Sequence, residues 1–222
     1  MLVFDASGSM ASLRHGRPKI ITAVKAASDV LPDVTQTRPT GLVTYGGRLN
    51  YIDERNPSCG DVRLRIPPIA DSGDLIVAEL RAVHPNGQTP LSDAVMLAAE
   101  TLIRLGQPGV IVVLTDGIEN CGFDTCAAAR TLRERAPKIR VHIIGFHLRQ
   151  SPGSRISCLP QLTRGTYTST NSLDALRAAL REKLGCPRIS SYRPPARDDV
   201  AYRWSVGADQ ELRGRCDRRR AW

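Results

Sequence analysis

The chain has 222 residues, with 31 Lys and Arg against 22 Asp and Glu, a formal charge of +9, 41% hydrophobic and 5% aromatic residues. That size suits one ordinary domain with a short appendage, and the balance is that of a folded chain rather than a disordered one. No apolar run approaches the roughly 20 residues of a bilayer-spanning helix, which excludes one.

In chain order, short apolar runs alternate with stretches of helical period. Leu2 to Phe4 reads as a strand, followed by a helix over 18–31 with Ile20, Ile21, Val24, Ala27 and Val30 at three- and four-residue spacing. Strands are expected at 41–45 and 62–66, then helices at 74–83 and 90–105, the second with Leu91, Ala94, Val95, Ala98, Ala99 and Leu102 on one side. Val110 to Leu114 is a continuous apolar run of the kind buried on both faces of a sheet. A helix over 124–135, a strand over 141–145, a short helix over 159–163, a short strand over 166–168 and a closing helix over 172–184 complete the pattern. This alternation predicts an α/β fold: a Rossmann-like, doubly wound, mostly parallel sheet with helices on both faces. In such sheets ligands bind beyond the carboxyl ends of the strands, where strand order reverses.

The segments that follow strands are rich in oxygen. Asp5-Ala6-Ser7-Gly8-Ser9 follows the first strand, Asn86-Gly87-Gln88-Thr89 precedes the helix at Pro90, and Thr115-Asp116-Gly117 follows the Val110 strand. Gly8 and Gly117 are expected to permit tight backbone paths. Carboxylates and hydroxyls without imidazole or thiolate form a donor set for Mg²⁺, Mn²⁺ or Ca²⁺ rather than for a zinc or copper site.

These three segments, with Gly41 to Gly46 and Gly87-Gln88-Thr89-Pro90-Leu91, resemble the metal-ion-dependent adhesion site (MIDAS) of a von Willebrand factor type A domain, over residues 1–184. The resemblance implies strand order 3-2-1-4-5-6, with Ser7 and Ser9 as direct metal ligands and Thr89 as a ligand in the partner-bound state. It also implies that Asp5 and Asp116 hold the ion at closer or longer range, often through water. The implied function is adhesion without catalysis: an open coordination position on Mg²⁺, or Mn²⁺ or Ca²⁺, takes an Asp or Glu of a protein partner. Partnership with an ATPase machine of the chelatase type is the alternative within the binding class.

Other classes fit less well. A phosphoester hydrolase built on Asp5 lacks a second carboxylate at position 7, and neither serine lies in a Gly-x-Ser-x-Gly elbow. His15, His84, His142 and His147 show no metal-ligand spacing; His142 is read as a strand residue and the others as surface or loop. Few aromatics and no basic recognition helix argue against a nucleic-acid partner. Residues 185–222 hold nine arginines against five acids, so +4 of the +9 lies in a stretch expected to be a flexible Arg/Pro-rich tail, with Arg218 to Arg220 a solvated charge run.

There are six cysteines. Cys121 and Cys126 flank a short segment beside Asp116 and are expected to pair with each other, a zinc pair being the rival reading. A disulfide there implies an oxidising compartment, the bacterial periplasm or the extracellular space, which the resemblance also suggests. The opening MLVFDASGSM shows no signal peptide, and only three residues precede Asp5. The expectation that joins these two facts is that Met1 is an internal start, with a leader and more of the first strand upstream.

Overall fold

Strand β1 (Leu2–Asp5) forms the centre of a six-stranded sheet because every one of its residues is buried, with no solvated face to place at an edge. The computed structural model describes residues 1–50, 58–106, 108–148 and 155–185; residues 186–222 of the expected 185–222 tail, with Cys186 and Cys216, lie outside the described residues. The other strands of this sheet are β4 (Thr40–Tyr45), β5 (Val62–Ile69), β6 (Gly109–Thr115), β7 (Ile139–Phe146) and β8 (Tyr167–Thr170). A two-stranded hairpin, β2 (Leu13–Arg14) with β3 (Arg17–Pro18), stands apart from it.

The sheet order is β5-β4-β1-β6-β7-β8. Numbered along the main sheet alone, this is 3-2-1-4-5-6, the order that the resemblance implies. All pairings are parallel except β4 with β5. β5 carries Pro67 and Pro68, which lack an N–H for a second neighbour and suit an edge position.

Helices α1 (Lys19–Ser28), α2 (Leu31–Thr35), α3 (Gly73–Arg81) and α7 (Leu173–Leu184) share one core with Leu2, Phe4, Leu42, Val112, Leu114, Ile144 and Phe146. Helices α4 (Leu91–Arg104), α5 (Thr125–Arg135) and α6 (Cys158–Leu162) share another with Val3, Val43, Ile111, Val113, Val141 and Ile143. Alternate residues of each strand therefore feed opposite cores, as a sheet covered on both faces requires. Residues Met1 to Gly185 form one compact unit.

Most expected elements occur within a few residues of their predicted bounds, and α4 buries the six apolar residues expected of it. Three features depart from expectation. The first long helix ends at Ser28 and is followed by a separate short α2. Ile21, expected inside, is 56% exposed, because it lies about 100° around the helix from buried Ile20 and the packed face continues through Ala23, Ala26 and Ala27. The hairpin β2–β3 was not expected at all, since two-residue strands carry no apolar alternation.

Local capping sets two helix starts. Asp124 accepts hydrogen bonds from the backbone N–H groups of Cys126 and Ala127, and Ser172 accepts one from Ala175. Asp124→Ala is expected to cost about 1 kcal/mol through loss of the α5 cap. A chain of this size would then melt about 2–4 °C lower, which thermal unfolding by circular dichroism checks.

Candidate metal centre

The register places Phe4 of β1 beside Leu114 of β6, so Asp5 and Thr115 leave adjacent parallel strands side by side. This is the point at which strand order reverses. The Thr115 hydroxyl donates to Asp5 Oδ2 at 2.6 Å, and the Ser7 backbone N–H donates to Asp5 Oδ1 at 2.8 Å. Ser7 Oγ and Ser9 Oγ are 3.0 Å apart, and Ser9 Oγ donates to Asp116 Oδ1 at 2.6 Å. Asp5, Ser7, Thr89 and Asp116 are buried, whereas Ser9 is exposed, so the cluster opens to solvent on the Ser9 side. A substituent on Gly117 would lie 3.7 Å from both Ser9 Oγ and Thr89 Oγ1, which puts the Thr89 hydroxyl in the same cluster. All five residues singled out in the sequence are thereby brought together.

Three loops are held in contact by main-chain bonds. Gly8 N–H donates to Gly87 O at 2.8 Å, Gly87 N–H donates to Gly46 O at 2.8 Å, and Ala6 N–H donates to Tyr45 O at 2.9 Å. This close approach demands glycine at Gly46, with φ of +68° and an added Cβ only 2.5 Å from Gln88 O, and at Gly87, where an added Cβ would lie 2.8 Å from Leu49 O. Gly8 and Gly117, expected to be the tight positions, are not crowded: an added Cβ would meet only ordinary contacts there, at 3.7 Å or beyond. Crowding depends on which loops meet, and they meet at Gly46 and Gly87.

Electrostatically the site favours a cation. Burial, and then the neighbouring Asp116 carboxylate, raise the Asp5 pKa, while hydrogen bonds from Ser7 and Thr115 pull it down. Asp116 Oδ2 is buried and has no hydroxyl or amide donor among the described residues; the ammonium of Lys19 meets it as an ion pair. Among the described residues no three His, Cys, Asp or Glu side chains converge, so an ion at this cluster would depend on hydroxyl ligands. Two carboxylates with serine and threonine hydroxyls fit a hard divalent cation. Ser7, Ser9 and Thr89 would supply neutral oxygens, Asp5 and Asp116 the balancing charge.

No protein-family model matches the chain. It is 28% identical over 183 residues to the uncharacterized protein YwmD of Bacillus subtilis, covering 80% of this chain and 81% of that one. It is 28% identical over 171 residues to YwmC of the same organism, covering 75% and 74%. Among solved structures, it is similar to a von Willebrand factor type A structure from Catenulispora acidiphila, with a TM-score of 0.60 and 18% identity over 83% of this chain and 41% of that one. It is similar to the SpRpn10 VWA domain, with a TM-score of 0.61 and 13% identity over 85% and 97%. The chain has the von Willebrand factor type A fold. A further structure of that likeness is proximal thread matrix protein 1 of the mussel byssus with a zinc-occupied MIDAS motif, with a TM-score of 0.57 and 18% identity over 82% and 43%.

On this type A fold the cysteines pair differently from the expected Cys121–Cys126 bridge. Cys59 bonds to Cys121 and Cys126 to Cys158. Asp124 caps α5 just before Cys126, which commits Cys126 to the helix start and turns its bridge toward α6, whereas Cys121 remains in the loop and reaches the turn Ser58–Gly60. The Cys59–Cys121 bridge joins two segments that also buttress Thr89: Ser58 Oγ accepts from Gln88 N–H at 3.0 Å, and Asn120 Oδ1 accepts from Thr89 N–H at 2.7 Å. Glu119 adds a further tie, accepting from Ser92 N–H and Cys121 N–H at 2.8 Å each.

Sequence reasoning missed Lys19, Ser58, Glu119 and Asn120 as neighbours of the site. Only Glu119 and Asn120 carried a signal, their position just after Asp116. Lys19 and Ser58 reach the cluster through tertiary packing alone.

Proposed function

We propose that this chain is a divalent-metal-dependent protein-binding module. Asp5, Ser7, Ser9, Thr89 and Asp116 hold Mg²⁺, or Mn²⁺ or Ca²⁺, and the ion takes an Asp or Glu side chain from a protein partner. The observation that carries this reading is a buried carboxylate pair and a row of hydroxyls gathered at the reversal point of the sheet, open on one side. The zinc-occupied MIDAS of proximal thread matrix protein 1 and the pilus adhesin SpaC of Lactobacillus rhamnosus GG, another structure of similar fold, support it by analogy. The loop that follows Asp116 also exposes Ile118 and Phe123, apolar side chains suited to a protein contact.

The module binds and does not turn over substrate. Neither Ser7 nor Ser9 lies in a Gly-x-Ser-x-Gly elbow, the motif that would present a serine as an acyl-transfer nucleophile. Two disulfides support an oxidising compartment, periplasmic or extracellular. Among the described residues no helix is long and apolar enough to cross a membrane.

An ion that binds only the folded state must stabilise it, by about 2.7 kcal/mol at one hundred times its Kd. Mg²⁺ or Mn²⁺ is therefore expected to raise the Tm measured in EDTA, and Asp5→Ala and Ser9→Ala to remove that rise. Ser9 is exposed, so its variant separates ligand loss from misfolding. Variants that keep the full metal-dependent shift refute the assignment, and turnover by the wild type of a panel of esters or phosphoesters refutes the non-catalytic reading.

A further inference from the structure

We propose that Lys19 is a built-in counter-ion of the site, one that neutralises Asp116 when no divalent ion is bound and that the ion must displace; the proposal rests on the metal-binding reading above. Lys19 is the first residue of α1 and is only 6% exposed. Lysine is almost never so buried unless it is paired, because removing an ammonium from water is costly. Its partner is Asp116, whose other oxygen accepts from Ser9. The ammonium thus lies on a carboxylate of the inferred ligand set.

The surroundings leave it no competing anion nearby in the chain. No Asp or Glu occurs between Asp5 and Asp29, and the first turn of α1 contains no acid. A cation at a helix N-terminus also opposes the helix dipole, so the helix does not retain it there; Asp116 does. The root of the side chain is fixed, since Lys19 N–H donates to Ser12 O at 3.0 Å across the base of the β2–β3 hairpin. Arg14, His15 and Lys19 lie close enough to His147 to lower its pKa after burial has done so, while Asp116 acts in the opposite sense.

Charge arithmetic then orders events. Asp5 and Asp116 facing one ammonium carry a net −1, whereas the same pair with the ammonium and a divalent ion carries +1 in a poorly solvated site. Like charges a few ångströms apart repel strongly at low effective dielectric, so ion and ammonium exclude one another from Asp116. Lys19 lowers metal affinity and supports the metal-free fold. Once displaced, its ammonium is free to face an acidic group of a partner.

The test is Mn²⁺ titration by calorimetry of the full-length wild type, Lys19→Met and Lys19→Gln, with the Tm of each in EDTA. Both variants are expected to bind Mn²⁺ at least tenfold more tightly than wild type, to melt lower in EDTA and to gain more in Tm from Mn²⁺. The Gln variant keeps a polar donor for Asp116 and serves if the Met variant does not fold without metal. Equal or weaker Mn²⁺ affinity in a folded variant overturns the Lys19 proposal and leaves the metal site standing. Absence of Mn²⁺ binding in wild type and both variants overturns the metal site and with it the proposal.

Discussion

Replacement of Cys59 and Cys121 by serine is expected to lower the Tm by roughly 10 °C and to shrink the stabilisation conferred by Mg²⁺ or Mn²⁺. The bridge closes a chain separation of 62 residues. On the chain-entropy account a loop of that length contributes about 4 kcal/mol, and each kcal/mol moves the Tm by about 2–4 °C in a protein of this size. The second effect is local. Ser58 and Asn120, whose side chains hold the backbone on either side of Gln88 and Thr89, lie next to the two cysteines. Without the bridge the Thr89 hydroxyl is less well positioned, so a metal-dependent Tm rise must fall with it. The Cys126–Cys158 bridge, which joins α5 to α6, is the control: its loss costs about 3.5 kcal/mol on the same account but leaves the metal response largely intact. Differential scanning calorimetry of both double variants with and without Mg²⁺ separates these outcomes; equal metal responses in the two variants contradict the buttressing role of Cys59–Cys121.

Gly46→Ala is expected to cost about 3 kcal/mol and to impair metal binding as well. Two costs add: a non-glycine residue held at φ of +68°, and a Cβ placed 2.5 Å from Gln88 O and 2.9 Å from Ser7 Cα. The atoms it meets belong to the loops of Thr89 and Ser7, so relief of the clash separates two of the inferred ligands. Gly16→Ala isolates the backbone cost, because Gly16 has φ of +75° with nothing within 4 Å of a virtual Cβ. It is expected to lose only about 1 kcal/mol and to keep its metal response. Urea unfolding gives both stabilities, and a Gly46→Ala variant no weaker than Gly16→Ala shows that the loop contact does not matter.

Much of the architecture was legible because it depends on local pattern. The apolar run Val110 to Leu114 has no polar face to expose, so it had to be an internal strand, and β6 lies inside the sheet. The stripe of α4 follows from its 3.6-residue period and packs as expected. Asp5, Ser7 and Ser9 sit within five residues, where the strand end and the loop that follows already bring their oxygens near one another. Features with weak periodicity were lost: β2 and β3 are two residues each, and α2 is a single turn and a half that merges in sequence with the helix before it.

The chain's own residues, taken in order, sufficed for the α/β class, for the three oxygen-rich segments and for the type of cation they suit, because burial period and donor chemistry are properties of short stretches. Which cysteines join, where the site loops crowd a glycine and which cation already faces Asp116 were decided only in three dimensions. Cys59 meets Cys121 across 62 residues, Gly46 meets the Ser7 and Gln88 loops, and Lys19 meets a carboxylate 97 positions further along the chain. The physical reason is common to all three: each depends on the distance between segments that only the packed sheet brings together, and neither side-chain chemistry nor local spacing encodes that distance.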